Sequence, residues 1–328
     1  MEAPLEFRPW RPGDEEAINR GFNQVFGLER SLAEWRWKFQ RAGVPSPIML
    51  AWSGDDLLAH YAGIPARFAV DGEIFRAAQI VDVYSTRRAR RLFARRGIYV
   101  RTVEAFFREF GESRCFPLLY GFPGRRALRL GVLELGYDAM EPEPIWVMER
   151  VAGEGRRPWR RYPYTAEAVS PQDPRFDELW QRVSGRYPVA VVRDRRRVVQ
   201  RLAGHPAVEY RLFMITPRLS HRPVAWVAFR SGPDALRWMD LVWDGQHPGA
   251  LELAAHLGRL LAEAAGAPRE TMWLVGDPEA AEVLARLGYR RRREPDGLVM
   301  VARSFPGGPD LERVGGRVYL TLADSDLA

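Results

Sequence analysis

From Tyr99 the apolar positions fall at Val103, Phe106, Phe107 and Phe110, and the run stops at Gly111. That spacing is the roughly 3.6-residue period of a helix with one buried face. Residues 250–265 repeat it with Leu253, Leu257, Leu260 and Leu261. Shorter helical patterns cover 14–26 and 31–39, and again 176–184 and 194–203. Between them lie apolar runs of strand length. "IVDVY" at 80–84 and "MDLVW" at 239–243 each carry one aspartate, Asp82 and Asp240. "LLYGFPGRR" at 118–126 and "WLVGDPEAA" at 273–281 each pass from an apolar strand through Gly-x-Pro into a helical pattern.

The two halves close on one phrase. "ELGYDAMEPEPIWVMER" at 134–150 and "RLGYRRRREPDGLVMVAR" at 286–303 both read Leu-Gly-Tyr, a polar interval, Glu-Pro, an apolar run and an arginine. Self-similarity at a fixed interval signals repeated structural units. Each half therefore predicts a strand, two short helices, three or four antiparallel strands, then helix, strand, helix and strand. The fold class expected is α/β with mixed sheets: two tandem domains, each a mostly antiparallel central sheet with flanking helices. The divisions are 1–152, a Gly/Pro/Arg linker at 153–163, 164–303, and a tail at 304–328. The tail's "RVYLTLA" has strand character and is expected to dock, whereas Asp324 and Asp326 beyond it read as a solvated end.

Length and composition agree with two soluble units, since 328 residues exceed one average domain. No apolar run approaches the roughly 20 residues of a membrane span, and the start is not that of a secretory signal. Cys115, the only cysteine, precludes an intramolecular disulfide, fits a reducing cytoplasm and, preceding an apolar run, reads as buried. The formal charge is +7, but Lys38 is the only lysine and arginine is spread along the whole chain. That distribution argues for a solvated surface with anionic ligands over a dedicated nucleic-acid binder. The histidines have no spacing with Cys or carboxylates that predicts a metal site.

The order of elements, the Asp-Val strand at Asp82–Val83, "YGFP" ending the next strand and "LGYD" after its helix resemble the GNAT superfamily of acetyl-CoA-dependent N-acyltransferases. The resemblance covers both halves, so the chain looks like a tandem-GNAT protein. It implies an acetyl-CoA-dependent transfer to a small-molecule or peptide amine, with no metal and no membrane partner. Backbone groups of Val83, Tyr84 and Ser85 would pair with the pantetheine amides as if it were another strand. The diphosphate would lie at a helix N-terminus, in the register Ala94, Arg95, Arg96, Gly97, Ile98, with arginine side chains in place of the family's further glycines. An alternative register begins at Arg88. The second half has no basic loop at "WDGQHPG" (243–249), so any cofactor belongs to the first.

For catalysis, Asp82 is a candidate base acting through water, with Tyr84 on the same strand face and His60 in mid-strand near the presumed cleft. The family's usual tyrosine, four residues before the closing glycine, is replaced by Val132 and Leu284. That departure keeps open a degenerate tandem GNAT that binds a ligand or partner without catalysis. A Fem-type transferase taking an aminoacyl group from tRNA also remains, since "RDRRR" at 193–197 is basic, although no helical-arm insertion is present.

Overall fold

The computed structural model describes residues 3–41, 44–92, 97–140, 145–154 and 163–326. The first half contains β1 (Leu5–Pro9), α1 (Glu15–Phe26), α2 (Leu32–Phe39), β2 (Ile48–Ser53), β3 (Asp56–Val70), β4 (Glu73–Ser85), α3 (Arg87–Leu92), α4 (Ile98–Phe106), β5 (Leu118–Gly121), α5 (Arg125–Glu134) and β6 (Asp138–Ala139). There follow β7 (Trp146–Val151), β8 (Tyr164–Ala168), α6 (Arg175–Val183), β9 (Val189–Val191), α7 (Arg195–Leu202), β10 (Arg211–Pro217) and β11 (Ala225–Ser231). The chain ends with β12 (Leu236–Trp243), α8 (Pro248–Ala265), β13 (Arg269–Trp273), α9 (Pro278–Arg286), β14 (Arg290–Arg293), β15 (Val301–Ser304) and β16 (Val318–Tyr319). The predicted order of elements is found in both halves, with α3 added in the first and β9, between α6 and α7, added in the second. Most of the expected 153–163 linker lies outside the described residues.

Two compact units form, and neither is continuous in sequence. Unit 1 takes residues 1–67, 75–140 and 300–313; unit 2 takes 68–74, 141–299 and 314–328. The strands closing the two repeats explain this. β7, which ends the first repeat, pairs antiparallel with β13 and β14 in unit 2. β15, which ends the second, pairs antiparallel with β5 and β6 in unit 1. The division at 1–152 and 164–303 read from the repeat therefore differs from the compact units. An alternating apolar run specifies a strand, but its partner is decided by long-range pairing that local pattern does not encode.

In unit 1 the strand order is β1-β2-β3-β4-β5-β15-β6, mostly antiparallel, with the parallel pair β4–β5 near its middle. The stripe predicted on α4 is real: Val103 and Phe106 are fully buried, and Phe107, in the π-helical turn that follows, packs beside Phe305 and Tyr137. They meet Tyr61, Leu119 and Val301 in one core, where the Tyr61 and Tyr137 hydroxyls lie 2.7 Å apart. Burial holds both phenols above their usual range. A second core gathers Trp35, Phe39, Ile48 and Leu50 under α1 and α2. Ser31 starts α2 with a capping box to Glu34, so that helix is fixed locally.

Unit 2 orders β14-β7-β13-β12-β11-β10-β8 around the parallel pair β12–β13. Here the predicted stripe on α8 shifts. Leu253 is buried as expected but Leu260 is exposed, and the rest of the buried face carries Leu251, Ala254, Ala255, Gly258 and Ala262. The reason is beneath it: the buried Glu270 carboxylate accepts from Arg150, Tyr289 and Trp238. A Cβ at residue 258 would stand 2.5 Å from Glu270 Oε2. Small residues let the helix approach that buried network. Cys115, expected to be buried, is exposed.

Candidate active site

The site begins with a mismatch in strand length. β4 and β5 pair in parallel from Ala77↔Leu118 to Ile80↔Gly121, where β5 ends. β4 runs on to Ser85, so Val81–Ser85 extend past their neighbour. Val83, Tyr84 and Ser85 lie on this overhang. Asp82 takes φ +52°, a left-handed conformation that costs a non-glycine residue about 1 kcal/mol or more and is best tolerated by Asp and Asn. The kink turns the Asp82 carbonyl onto His60 Nδ1, 2.6 Å away. A carbonyl only accepts, so Nδ1 carries the proton and Nε2 keeps its lone pair.

His60 and Tyr84 stack with ring centroids 5.1 Å apart. His60 is fully buried, and burial outweighs the nearby Asp82 carboxylate to push its pKa down to about 4. The imidazole is therefore neutral near pH 7. Its Nε2 has no hydrogen-bond partner among the described residues. Tyr84 donates its hydroxyl to the Ile18 carbonyl at 2.8 Å, and burial raises its pKa. Thus the structure brings His60, Asp82 and Tyr84 into one cluster.

Both carboxylate oxygens of Asp82 are occupied. Lys38 Nζ donates to Oδ1 at 2.6 Å, and Arg30 Nη1 donates to Oδ2. Burial alone would raise the Asp82 pKa, but Lys38 and Arg30 together hold it below the ordinary carboxylate range. Arg30 is itself locked: Nε donates to Asn19 Oδ1 at 2.7 Å, its N–H to Asn23 Oδ1 at 3.0 Å, and the guanidinium lies 3.7 Å over the Phe22 ring. The loop between α1 and α2 is thereby tied to the kink in β4. Sequence reasoning missed Arg30 and Lys38. The one available signal was that the chain's single lysine sits in α2.

Of the expected phosphate loop, Ala94, Arg95 and Arg96 lie outside the described residues. Gly97 stands at the N-cap of α4 and Ile98 is its first residue. The first N–H groups of α4 have no acceptor within the helix by its geometry, and the helix dipole makes this end positive. Among the described residues, no group of three or more His, Cys, Asp or Glu side chains is placed to hold a metal ion. No described helix is long and apolar enough to cross a membrane.

Residues 6–127 match the model of the acetyltransferase (GNAT) domain. No curated protein sequence matches the chain. Its fold is similar to that of a conserved protein of unknown function from Enterococcus faecalis V583, at TM-score 0.69 and 12% identity, covering 92% of this chain and 73% of that one. A GCN5-related N-acetyltransferase from Anabaena variabilis ATCC 29413 gives TM-score 0.67 and 13% identity over the same shares. Saccharomyces cerevisiae N-myristoyltransferase with bound myristoyl-CoA gives 0.61 and 12%, over 98% of this chain and 91% of that one. At such identities the likeness to these structures is one of fold alone.

Proposed function

We propose that this GNAT-superfamily chain is an acyl-CoA-dependent N-acyltransferase with its cofactor in unit 1. The observation that carries the reading is that the GNAT-domain match at 6–127 spans the overhang of β4 past β5 and the start of α4. In this reading the backbone of Val83, Tyr84 and Ser85 pairs with the pantetheine amides. The start of α4 at Gly97 and Ile98, with Arg95 and Arg96, holds the diphosphate. Acetyl-CoA is the simplest donor that fits.

The chemistry follows from what the site offers. An amine attacks the thioester carbonyl carbon, a C–N bond forms, the C–S bond breaks and the thiolate leaves. One proton must leave the incoming ammonium, and one must reach the sulfur. Of the three clustered side chains, His60 supplies the proton-accepting lone pair, at Nε2, through which a water would link the ring to the incoming ammonium. Asp82 orients His60 through its carbonyl and anchors α1–α2 through its carboxylate. Tyr84 is a fixed donor that stacks the ring in place.

A second reading, binding without catalysis, is favoured by one feature: Val132 and Leu284 stand where the family's tyrosine would supply the acid. Calorimetric titration of acetyl-CoA into the intact protein, and into a variant with Arg95→Ala, Arg96→Ala and Gly97→Glu, tests the cofactor site. Affinity in the micromolar range, lost in the variant, is the expected result; no binding by the intact protein sinks the acyl-CoA claim. Turnover of the thioester against an amine panel then separates the readings, since binding without thiol release favours the second.

A further inference from the structure

Unit 2 repeats the overhang. β12 pairs in parallel with β13 from Leu236↔Glu270 to Trp238↔Met272, then runs on to Trp243 past that neighbour. Here, however, the strand edge is already satisfied. The Leu241 N–H donates to the Asp240 carboxylate at 3.0 Å, and the Leu241 carbonyl accepts from the Tyr319 hydroxyl at 2.5 Å. The Tyr187 hydroxyl accepts from the Trp243 N–H and donates to its carbonyl, both at 3.0 Å. At the start of α8, where a phosphate would lie, Asp244 Oδ1 accepts from the N–H groups of Gln246 and His247 at 3.0 and 3.2 Å.

The element that fills the gap is the C-terminal segment. Leu320 exchanges two backbone hydrogen bonds of 3.1 Å with Val275, just beyond the end of β13. The segment passes so closely that a Cβ on Gly276, which has φ +77°, would stand 2.4 Å from the Val318 carbonyl oxygen. Thr321 donates to Asp240 at 2.8 Å. Arg193, 1% exposed, donates to Asp240 at 3.0 Å and also to Asp324. One turn apart on α7, Arg197 donates to the Ala323 carbonyl at 2.9 Å, and Arg201 to the carbonyls of Ala323 and Ser325 at 3.1 and 2.7 Å. Arg197, part of the run read from sequence as basic, thus joins Arg201 in recognising a peptide backbone. Asp324, expected to be solvated, is 1% exposed.

Backbone pairing supplies strength, and pockets for alternate side chains supply selectivity; this is how a sheet recognises an added strand. We propose that the overhang of unit 2 is a peptide-binding groove, that its resident ligand is the chain's own segment 318–325, and that this segment keeps acyl-CoA out of unit 2. The groove selects Tyr319 through Leu241, Thr321 through Asp240, and Asp324 through Arg193. The exclusion rests on the acyl-CoA reading of unit 1; the peptide specificity does not.

The test uses the full chain and a fluorescein-labelled peptide of residues 314–326. A tethered segment competes at an effective concentration of roughly millimolar order, so the intact protein should leave the anisotropy of the labelled peptide unchanged at micromolar concentrations. Full-length protein carrying Tyr319→Phe and Asp324→Asn, checked for an unchanged near-ultraviolet circular dichroism, should bind the peptide at least roughly tenfold more tightly than the intact protein does. If that pair of changes unfolds the protein, Thr321→Val serves instead. In parallel, CoA should bind the intact chain with no more than one equivalent and leave hydrogen exchange at the Leu320 amide unchanged. A folded variant that does not take up the peptide overturns the groove. A second equivalent of CoA, or faster exchange at Leu320 on adding CoA, overturns the exclusion. Zero equivalents would sink the acyl-CoA reading with it, while the anisotropy result would still decide the groove.

Discussion

Asp82 on β4 and Asp240 on β12 occupy the same place in the two repeats, and their surroundings are opposite. Asp82 is one carboxylate between two cations, Arg30 and Lys38, and its pKa is held low. Asp240 shares one cation, Arg193, with a second carboxylate, Asp324; burial and that like charge raise its pKa. The first aspartate sits on a left-handed kink that turns its carbonyl out of the ladder. The second lies in a strand whose edge is closed by side chains and by the C-terminal segment. One unit presents an overhang of β4 past β5, and the other fills the equivalent overhang from within. The ratio of cations to carboxylates at one strand position marks the difference between them.

The strongest way to break the contrast is Arg193→Met. It removes the cation that Asp240 and Asp324 both accept from, and removing one partner of a buried ion pair costs about 3–5 kcal/mol. Denaturant unfolding should show that loss, and hydrogen exchange should place it in unit 2. Asp82→Asn keeps the tolerance for a left-handed backbone but leaves two cations unneutralised, so about 1–3 kcal/mol is expected, in unit 1. Equal losses in the two variants would mean that the charge ratio is irrelevant.

Acid should separate the units next. His60 has a folded pKa of about 4, below its unfolded value of about 6.5. The unfolded chain therefore binds the proton first as pH falls, and stability drains away between about pH 6.5 and 4, by about 3 kcal/mol in all. Asp82, with its pKa lowered, adds a further loss only as pH falls below the ordinary carboxylate value. Asp240, with its pKa raised, acts in the opposite sense: protonation relieves the like-charge pair, so unit 2 gains from this group as pH falls through its folded pKa. Hydrogen exchange at pH 7 and pH 4.5 should show unit 1 opening more readily at the lower value, and His60→Gln should remove most of that difference. Unit 2 weakening more than unit 1 would refute the assignment.

The smallest effect is expected at Gly97. Its φ is −50°, and no atom of the described residues lies within 4 Å of where a Cβ would stand. Gly97→Ala should change stability by less than about 1 kcal/mol in either direction, read as a shift in the thermal midpoint. A tolerated alanine makes any loss of CoA affinity in Gly97→Glu attributable to charge and bulk at the α4 start. A large destabilisation would show instead that this glycine is needed by the fold.

Much of the chain was legible in its sequence because the information was local. Apolar spacing on α4 and the recurring strand-helix order are written in short stretches of chain, and both reappear in the structure. So does the pairing of Asp82 with Asp240 as counterparts. What only tertiary structure decided was which distant groups meet. Arg30 and Lys38 reach Asp82 across 52 and 44 residues, and Arg193 reaches Asp324 across 131. β7 and β15 join the sheets of opposite units, though each carries a strand pattern indistinguishable in kind from the other. The tail's strand was readable, but its acidic end was not, because a buried aspartate and a solvated one have the same letters until a partner is supplied. Periodicity determines what a segment is; the fold determines which charges are paired and which strand edges are filled.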